Sequence, residues 1–375
     1  MTVRIGVPRE TASGETRVAI IPPVVEKYTA LGAEVLVERD AGQLSNLPDD
    51  QFGAATIVDA AAAFGADVVL KVQTPSPDEV ALLREGAVLI GLLQPYTAVP
   101  TISALRDRKV TSFALELLPR ITRAQSMDAL TSQASIAGYK AVLMSACLAG
   151  RYYPMLTTPA GTLRPAKVVV LGVGVAGLQA IATARRLGAM VEAYDVRAAT
   201  REQVQSLGAR FIDTGIDASA EGGYARELTD EERQKAQAVV DEHIAAADAV
   251  ITTAAVPGKP APKLISREVV ERMKTGAVII DLAAEGGGNC EITRPGEQYN
   301  HKGVFIYGPL NVPAMLPFHA SEQYARNLMH FLTPFIVDGE LRLDWDNEVL
   351  AGSVLTRDGV VANEAARRLV EGGAS

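Results

Sequence analysis

The sequence predicts an α/β protein of two doubly wound parallel-sheet domains, the first of them discontinuous. Three observations carry that prediction. Short β-branched runs alternate with helical patterns twice along the chain, the pattern of parallel strands joined by crossover helices. A glycine-rich turn follows the first strand of the second series. The length, 375 residues, exceeds the roughly 250–300 at which a single core stops growing.

In the first series, strands are expected at Val3–Val7, Val35–Glu38, Val68–Val72, Val88–Leu92 and Val110–Leu115. Helices are expected between them at Pro23–Leu31, Pro77–Arg84 and Pro100–Arg108. A long helix over about Thr131–Tyr152 comes next, with Ile136, Tyr139, Leu143, Ala146 and Cys147 at helical spacing. The second series has strands at Lys167–Leu171, Met190–Asp195, Arg210–Asp213, Ala249–Thr253, Ala277–Leu282 and Val304–Tyr307. Six strands make a full dinucleotide-binding sheet. After a helix near His319–Phe331 the tail is expected to re-enter the first domain. The first domain is then residues 1–130 plus about 320–375, and the second is residues 131–319. One connection is abnormally long: about fifteen residues between Asp213 and Thr229, including Gly223 and Tyr224. Loops of that length are usually functional or disordered. It reads either as a tolerated surface insertion or as a mobile flap carrying Tyr224 toward a ligand or partner.

Composition excludes several classes. A hydrophobic share of 48% with 21% charged residues describes a folded protein rather than a disordered one. The longest apolar runs, such as Ala87–Leu93, fall well short of the ~20 residues that cross a bilayer. The N-terminus enters strand-like sequence at once, without room for a signal peptide. Cys147 and Cys290 stand far apart, as in a reducing compartment, and a cytoplasmic protein is expected. The net charge is −8 and no Lys/Arg cluster is interleaved with aromatics, which argues against nucleic acid and simple adhesion to anionic lipid. His243, His301, His319 and His330 show no i, i+4 pairing and no nearby cysteine pair, so no metal site is expected.

The strongest local signal is the run from Lys167 through Gly172, Gly174 and Gly177. A G-x-G-x-x-G pattern alone is weak, but here it follows a β-branched strand and opens an apolar helix. Gly172 would permit the tight turn and Gly174 the approach of backbone to a pyrophosphate. Gly177 would let helix and strand pack closely, with the helix N-terminus facing the phosphates. A Rossmann-like sheet also needs an acid at the end of its second strand, and Asp195 is there, 18 residues after Gly177. Its carboxylate would accept from ribose hydroxyls and repel a 2′-phosphate, favouring NAD over NADP. Arg197 pulls the other way, because a nearby arginine can hold that phosphate; the strand-end position gives Asp195 the greater weight. The strand end at Ile251–Gly258, with Ala255, and the turn Glu285–Asn289 lie where open α/β sheets bind ligands. Glu285 reads equally as a solvated acid.

Before the linking helix, Pro119–Thr131 is dense in hydrogen-bonding groups, and it falls between the two α/β halves, where a ring would lie in a cleft. Thr122-Arg-Ala-Gln125 also fits a capping box, though capping would need neither Arg120 nor Asp128. An amide such as Gln125 can orient a carboxamide ring without moving a proton.

At these residues the sequence resembles the alanine dehydrogenase/transhydrogenase family, and within it the NAD(H)-binding region of the transhydrogenase α subunit. The likeness covers Ile5–Glu10, Glu15–Ala19, Pro119–Asp128, Gly172–Ala184, Asp195–Thr200 and Ile251–Pro262, ending near Thr356–Gly359. It implies that Arg120, Gln125 and Asp128 act at the nicotinamide, with Ile121, Thr122 and Thr131 beside them. It further implies that Val175, Ala176, Asp195, Val196 and Arg197 bind the rest of NAD(H), and that Gly223 and Tyr224 form a mobile loop. Gln237 and Ala255 are weaker carry-overs. NADP(H) would sit on a partner domain, a membrane-spanning subunit would couple the reaction to protons, and the chain would be a homodimer held at the inner face of the membrane by these partners.

The relatives that oxidise alanine need a base whose pKa is tuned to the working pH. Arg17 and Lys71 match their substrate-holding cations, but Gln94 stands where their histidine falls, and Glu285 replaces the acid of the later glycine turn. Hydride passing between two nicotinamides needs no proton transfer, only placement of the two C4 atoms at about 3–3.5 Å. The expected activity is therefore transhydrogenation. An NAD-dependent amino-acid dehydrogenase and a non-enzymatic NAD sensor are the alternatives.

Overall fold

The β-branched runs become strands because parallel strands buried on both faces need apolar side chains in both directions. The computed structural model describes residues 2–216, 229–255 and 258–372. The first series runs β1 (Arg4–Val7), α1 (Pro22–Ala30), β2 (Glu34–Glu38), β3 (Thr56–Val58), α2 (Ala60–Phe64), β4 (Val68–Leu70), α3 (Pro77–Leu82), β5 (Val88–Gly91), α4 (Val99–Asp107) and β6 (Thr111–Ala114). Then come α5 (Ala129–Leu148), a hairpin of β7 (Leu156–Thr158) and β8 (Gly161–Leu163), β9 (Lys167–Leu171), α6 (Val175–Arg186), β10 (Met190–Tyr194), α7 (Arg201–Ser206) and β11 (Arg210–Phe211). Beyond the undescribed stretch lie α8 (Asp230–Ala245), β12 (Ala249–Thr252), α9 (Arg267–Arg272), β13 (Val278–Asp281), β14 (Gln298–His301) and β15 (Val304–Tyr307). The chain closes with α10 (Pro317–Leu332), β16 (Ile336–Val337), β17 (Glu340–Leu341), α11 (Glu348–Ser353), β18 (Val354–Arg357), β19 (Val360–Val361) and α12 (Glu364–Gly372).

The chain forms two compact units, Met1–Gln133 with Pro313–Ser375, and Ala134–Val312. The sheet of the first has the order β19-β18-β6-β5-β4-β1-β2-β3. Its strands β1 to β6 are parallel, while β18 runs antiparallel to β6 and β19 antiparallel to β18. Side chains alternate between two cores on opposite faces: Val68, Leu70, Val88 and Ile90 enter one, Val69 and Leu89 the other. That period of two with both faces covered is what a doubly wound sheet requires.

The second unit repeats the plan with the order β11-β10-β9-β12-β13-β15-β14. All pairs are parallel except the edge strand β14 against β15. Val168, Val170, Ile251, Val278 and Ile280 fill one face, and Val169, Leu171, Val250 and Ile279 the other. Setting aside that edge strand, the chain order across the sheet is 3-2-1-4-5-6, with the switch between first and fourth strands at β9 and β12. Ligands bind beyond the strand carboxyl ends at such a switch.

Three elements depart from expectation in detail. The strand β3 and helix α2 were unforeseen; they are three and five residues long, too short for periodicity to register. The long helix begins at Ala129 and stops at Leu148, because Asp128 caps its start. Asp195 lies just past β10 rather than within it. Among the described residues no helix is long and apolar enough to cross a membrane, and no three His, Cys, Asp or Glu side chains gather to hold a metal ion.

Candidate functional site

The glycine turn between β9 and α6 is built as tightly as its sequence implies. Gly172 has φ +91°, and a Cβ there would stand 2.7 Å from Thr253 Oγ1 and 3.0 Å from Ala254 N, so a side chain is both strained and obstructed. A Cβ on Gly177 would stand 1.9 Å from the Gly172 carbonyl oxygen, which lets the first turn of α6 rest on the turn itself. Thr253 donates its hydroxyl to that same carbonyl at 3.0 Å, tying β12 to the turn. Gly174, the residue preceding α6, has no atom within 4 Å of where a Cβ would be. The first backbone N–H groups of α6, including those of Val175, Ala176 and Gly177, have no intrahelical acceptor. Open space beside unpaired donors at the positive end of a helix fits a pyrophosphate.

Asp195 stands at the end of the neighbouring strand, with its side chain 7% exposed. Its Oδ1 accepts from the Arg197 backbone N–H at 2.9 Å and from Arg197 Nε at 2.8 Å. Its Oδ2 accepts from Val173 N–H at 2.8 Å and the second arm of the guanidinium at 2.9 Å. Burial pushes this carboxyl up, but the Arg197 fork and the two backbone donors overcome it and hold it below the usual aspartate value. Arg197 is thus neutralised by a bidentate pair. Val196 between them is 36% exposed.

Two further strand ends meet here. Asn289, fully buried, accepts from Ala254 N–H at 3.0 Å and donates to the carbonyls of Ala254 and Pro262, each at 2.8 Å. It clamps the loop carrying Ala255, which is exposed. Asp281, also fully buried, collects four donors: the hydroxyls of Thr252 and Thr293 and the backbone N–H groups of Ala283 and Cys290. Sequence reasoning missed the roles of Thr253 and Asp281, whose partners are remote along the chain. Glu285 accepts from Asn311 N–H at 2.7 Å and shapes the turn. Gln237 is engaged elsewhere, donating to Asp241 at 2.5 Å and to the Leu264 carbonyl at 2.9 Å within the helix layer. Gly223 and Tyr224 lie outside the described residues.

The structure therefore gathers Gly172, Gly174, Val175, Ala176, Gly177, Asp195, Val196, Arg197 and Ala255 at the adjoining ends of β10, β9 and β12. The Arg120–Thr131 segment belongs to the other unit. There, Arg120, Thr122 and Gln125 are exposed and Ile121 is half-buried against the core. Thr122–Met127 is a short 3₁₀ turn with no side-chain cap, so the capping box expected from Thr122 and Gln125 does not form. Asp128 does the capping instead: its Oδ1 accepts from Thr131 N–H at 2.9 Å and its Oδ2 from the Thr131 hydroxyl at 2.6 Å. Ala124 and Met127 point into the core, and Asn327 of α10 donates to the Ser126 carbonyl at 2.8 Å while accepting from Ser132. Asn327 is a second support that the sequence did not reveal.

Arg17 and Lys71 are buried in the same unit. Arg17 forks onto Glu15 at 2.8 and 2.6 Å and donates to Gln133 at 2.9 Å. Lys71 pairs with Glu10 at 3.3 Å and Glu79 at 3.2 Å. A hollow beside Glu10, Glu15 and Arg17 has a volume of about 20 Å³, room for a water molecule. Gln94 is exposed, with φ +48° and its N–H on Glu116 at 2.8 Å.

Two family models match the sequence: alanine dehydrogenase/PNT, N-terminal domain, over residues 6–137, and alanine dehydrogenase/PNT, C-terminal domain, over residues 141–364. The chain belongs to the alanine dehydrogenase/PNT family. It is 50% identical to an NAD(P) transhydrogenase subunit alpha chain of Rhodospirillum rubrum, over 97% of this chain and 98% of that one. Alanine dehydrogenase of Bacillus subtilis is more distant, at 29% identity over 97% of this chain and 94% of that one. Among solved structures, the transhydrogenase from Sinorhizobium meliloti superposes with a TM-score of 0.88 at 46% identity, covering 96% of this chain and 99% of that one. An L-alanine dehydrogenase superposes at 0.81 and 25% identity, covering 99% and 100%.

Proposed function

We propose that this chain is the NAD(H)-binding component of a proton-translocating transhydrogenase, passing hydride directly between NAD(H) held here and NADP(H) on a partner protein. The observation that carries this reading is the segment Arg120–Thr131. Its one carboxylate, Asp128, is committed to a helix cap, and nothing else in it titrates near neutral pH. Such a segment can orient a ring but offers no tuned base. The histidine expected of an alanine dehydrogenase is Gln94 here, and an amide cannot take the proton that oxidising an amine releases.

NAD(H) supplies the hydride chemistry, and the residues of the chain hold and orient it. The first turn of α6 receives the pyrophosphate, with Gly172, Gly174 and Gly177 giving it room. Asp195 and Val196 meet the adenosine ribose, Arg197 gives up part of its pairing to admit it, and Ala255 lies alongside. Arg120, Gln125 and Asp128 fix the nicotinamide, with Ile121, Thr122 and Thr131 around them. Arg17 and Lys71 remain with their carboxylates. The chain acts as a homodimer, held at the cytoplasmic face of the membrane by its membrane-spanning and NADP(H)-binding partner subunits.

The test is stopped-flow mixing of the purified chain with an NADP(H)-binding partner component loaded with NADPH, using the acetylpyridine analogue of NAD as acceptor. Rapid reduction of the analogue that requires both proteins is expected. Turnover of alanine and NAD by this chain alone would overturn the proposal in favour of an amino-acid dehydrogenase.

A further inference from the structure

The first turn of α6 is held from two sides. On one side Gly177 rests on the Gly172 carbonyl. On the other lies α5, and the contact there is again a glycine. Gly138 is buried in the interior of α5, where glycine is less favourable than alanine. A Cβ on Gly138 would stand 2.1 Å from the Ala176 carbonyl oxygen, 2.8 Å from its carbon and 3.0 Å from its Cα. All three atoms are backbone, so no side-chain rotation relieves the overlap. Three residues before Gly138, Ser135 donates to Gln179 of α6 at 3.5 Å, on the same pair of helices. A methyl group at position 138 would have to push the turn bearing the Val175, Ala176 and Gly177 N–H groups off its seat.

We propose that Gly138 is a positioning residue for the phosphate-binding turn: α5 is a backstop whose missing side chain sets where those N–H groups stand. The proposal rests on the nucleotide-site reading above. It assigns to α5 a part in nucleotide affinity without any contact to the nucleotide.

The test is Gly138→Ala, compared with the wild type in NADH titrations and in single-turnover hydride transfer with the NADPH-loaded partner. The dissociation constant for NADH is expected to rise at least tenfold, while the transfer rate at saturating nucleotide stays within about twofold. A merely structural role would shrink the active fraction and leave the dissociation constant unchanged, and that result overturns the proposal. If the variant does not fold, amide hydrogen exchange on the wild type decides. ADP-ribose is expected to slow exchange in α5 around residues 136–141 at least threefold, and adenosine, which lacks the phosphates, is not. Equal effects, or none, count against it. A wild type that fails to bind NADH would instead refute the nucleotide-site reading itself.

Discussion

Asp195 has a carboxylate's four acceptor positions filled by four donors. A ribose hydroxyl can gain a place only by displacing part of the Arg197 fork, so the pair sets a threshold for adenosine binding as well as its selectivity. The acid itself was legible from its spacing after Gly177. The pairing was not, because it depends on an arginine rotamer that folds back two residues, and in the sequence Arg197 read as a rival holding a 2′-phosphate. Asp195→Asn is expected to weaken NADH binding at least tenfold and to reduce the preference for NADH over NADPH by a similar factor, measured by fluorescence titration with both nucleotides. An unchanged preference would remove Asp195 from the selectivity argument.

Glu15 shows the same balance in the core of the first unit. Burial raises its carboxyl, but the Arg17 guanidinium and backbone, with Gln73, overcome it and hold the pKa at about 2 against the ordinary 4.5. The unfolded chain therefore takes up this proton at higher pH than the folded one. The stabilisation is complete above about pH 4.5 and is lost as pH falls toward 2, with a size of about 3 kcal/mol. Glu10 has the opposite sign: burial raises its pKa despite Lys71, so it favours the fold below its unfolded pKa and loses that contribution as pH rises through the folded one. In urea unfolding, the gap between wild type and Glu15→Gln is expected to be widest near pH 6 and to narrow steadily below pH 4.5. A gap constant with pH would contradict the assignment.

Helix α5 joins the proposed ring-contacting segment to the helix layer of the dinucleotide fold. Its existence was plain from apolar spacing, whereas its start was misplaced. Thr122 and Gln125 match a capping box in sequence, yet burial of Ala124 and Met127 bends that stretch into a 3₁₀ turn and hands the cap to Asp128. Asp128→Ala is expected to cost about 1 kcal/mol through the lost cap, whereas Asp128→Asn keeps an acceptor and most of that stability. Both are expected to slow hydride transfer at least tenfold if the carboxylate positions the ring. An Asn variant with wild-type transfer would reduce Asp128 to a cap. The clamp at Asn289 lies 35 residues from Ala254, a separation no local pattern reports. Asn289→Ala strands buried backbone groups and is expected to cost roughly 2–3 kcal/mol and to weaken NADH binding several-fold. Unchanged affinity would detach that loop from the site.

Across the whole molecule, the two sheets share one parallel strand order, and both were readable because a strand covered on both faces must be apolar along its length. Val168–Leu171 and Val68–Leu70 are such runs. The edges were less readable. The strands β18 and β19 return antiparallel beside β6 and are set by a turn at Asp358 and Gly359, both at positive φ, while β3 is three residues long. In the nucleotide site, the residues that touch the ligand announced themselves through glycine spacing and a strand-end acid. Their supports, Thr253, Asp281 and Asn327, did not, because their bonds close only after the fold has formed.

The central claim is that hydride moves between two nicotinamides with no titrating group of the protein taking part. It is tested most directly by loading the chain with NADH deuterated at the transferring C4 position, mixing it with a partner component carrying NADP⁺, and following a single turnover from pH 6 to 9. The expected result is complete transfer of deuterium to the product NADPH at a rate independent of pH. Loss of deuterium to water, or a rate that follows one ionisation across that range, would contradict the account.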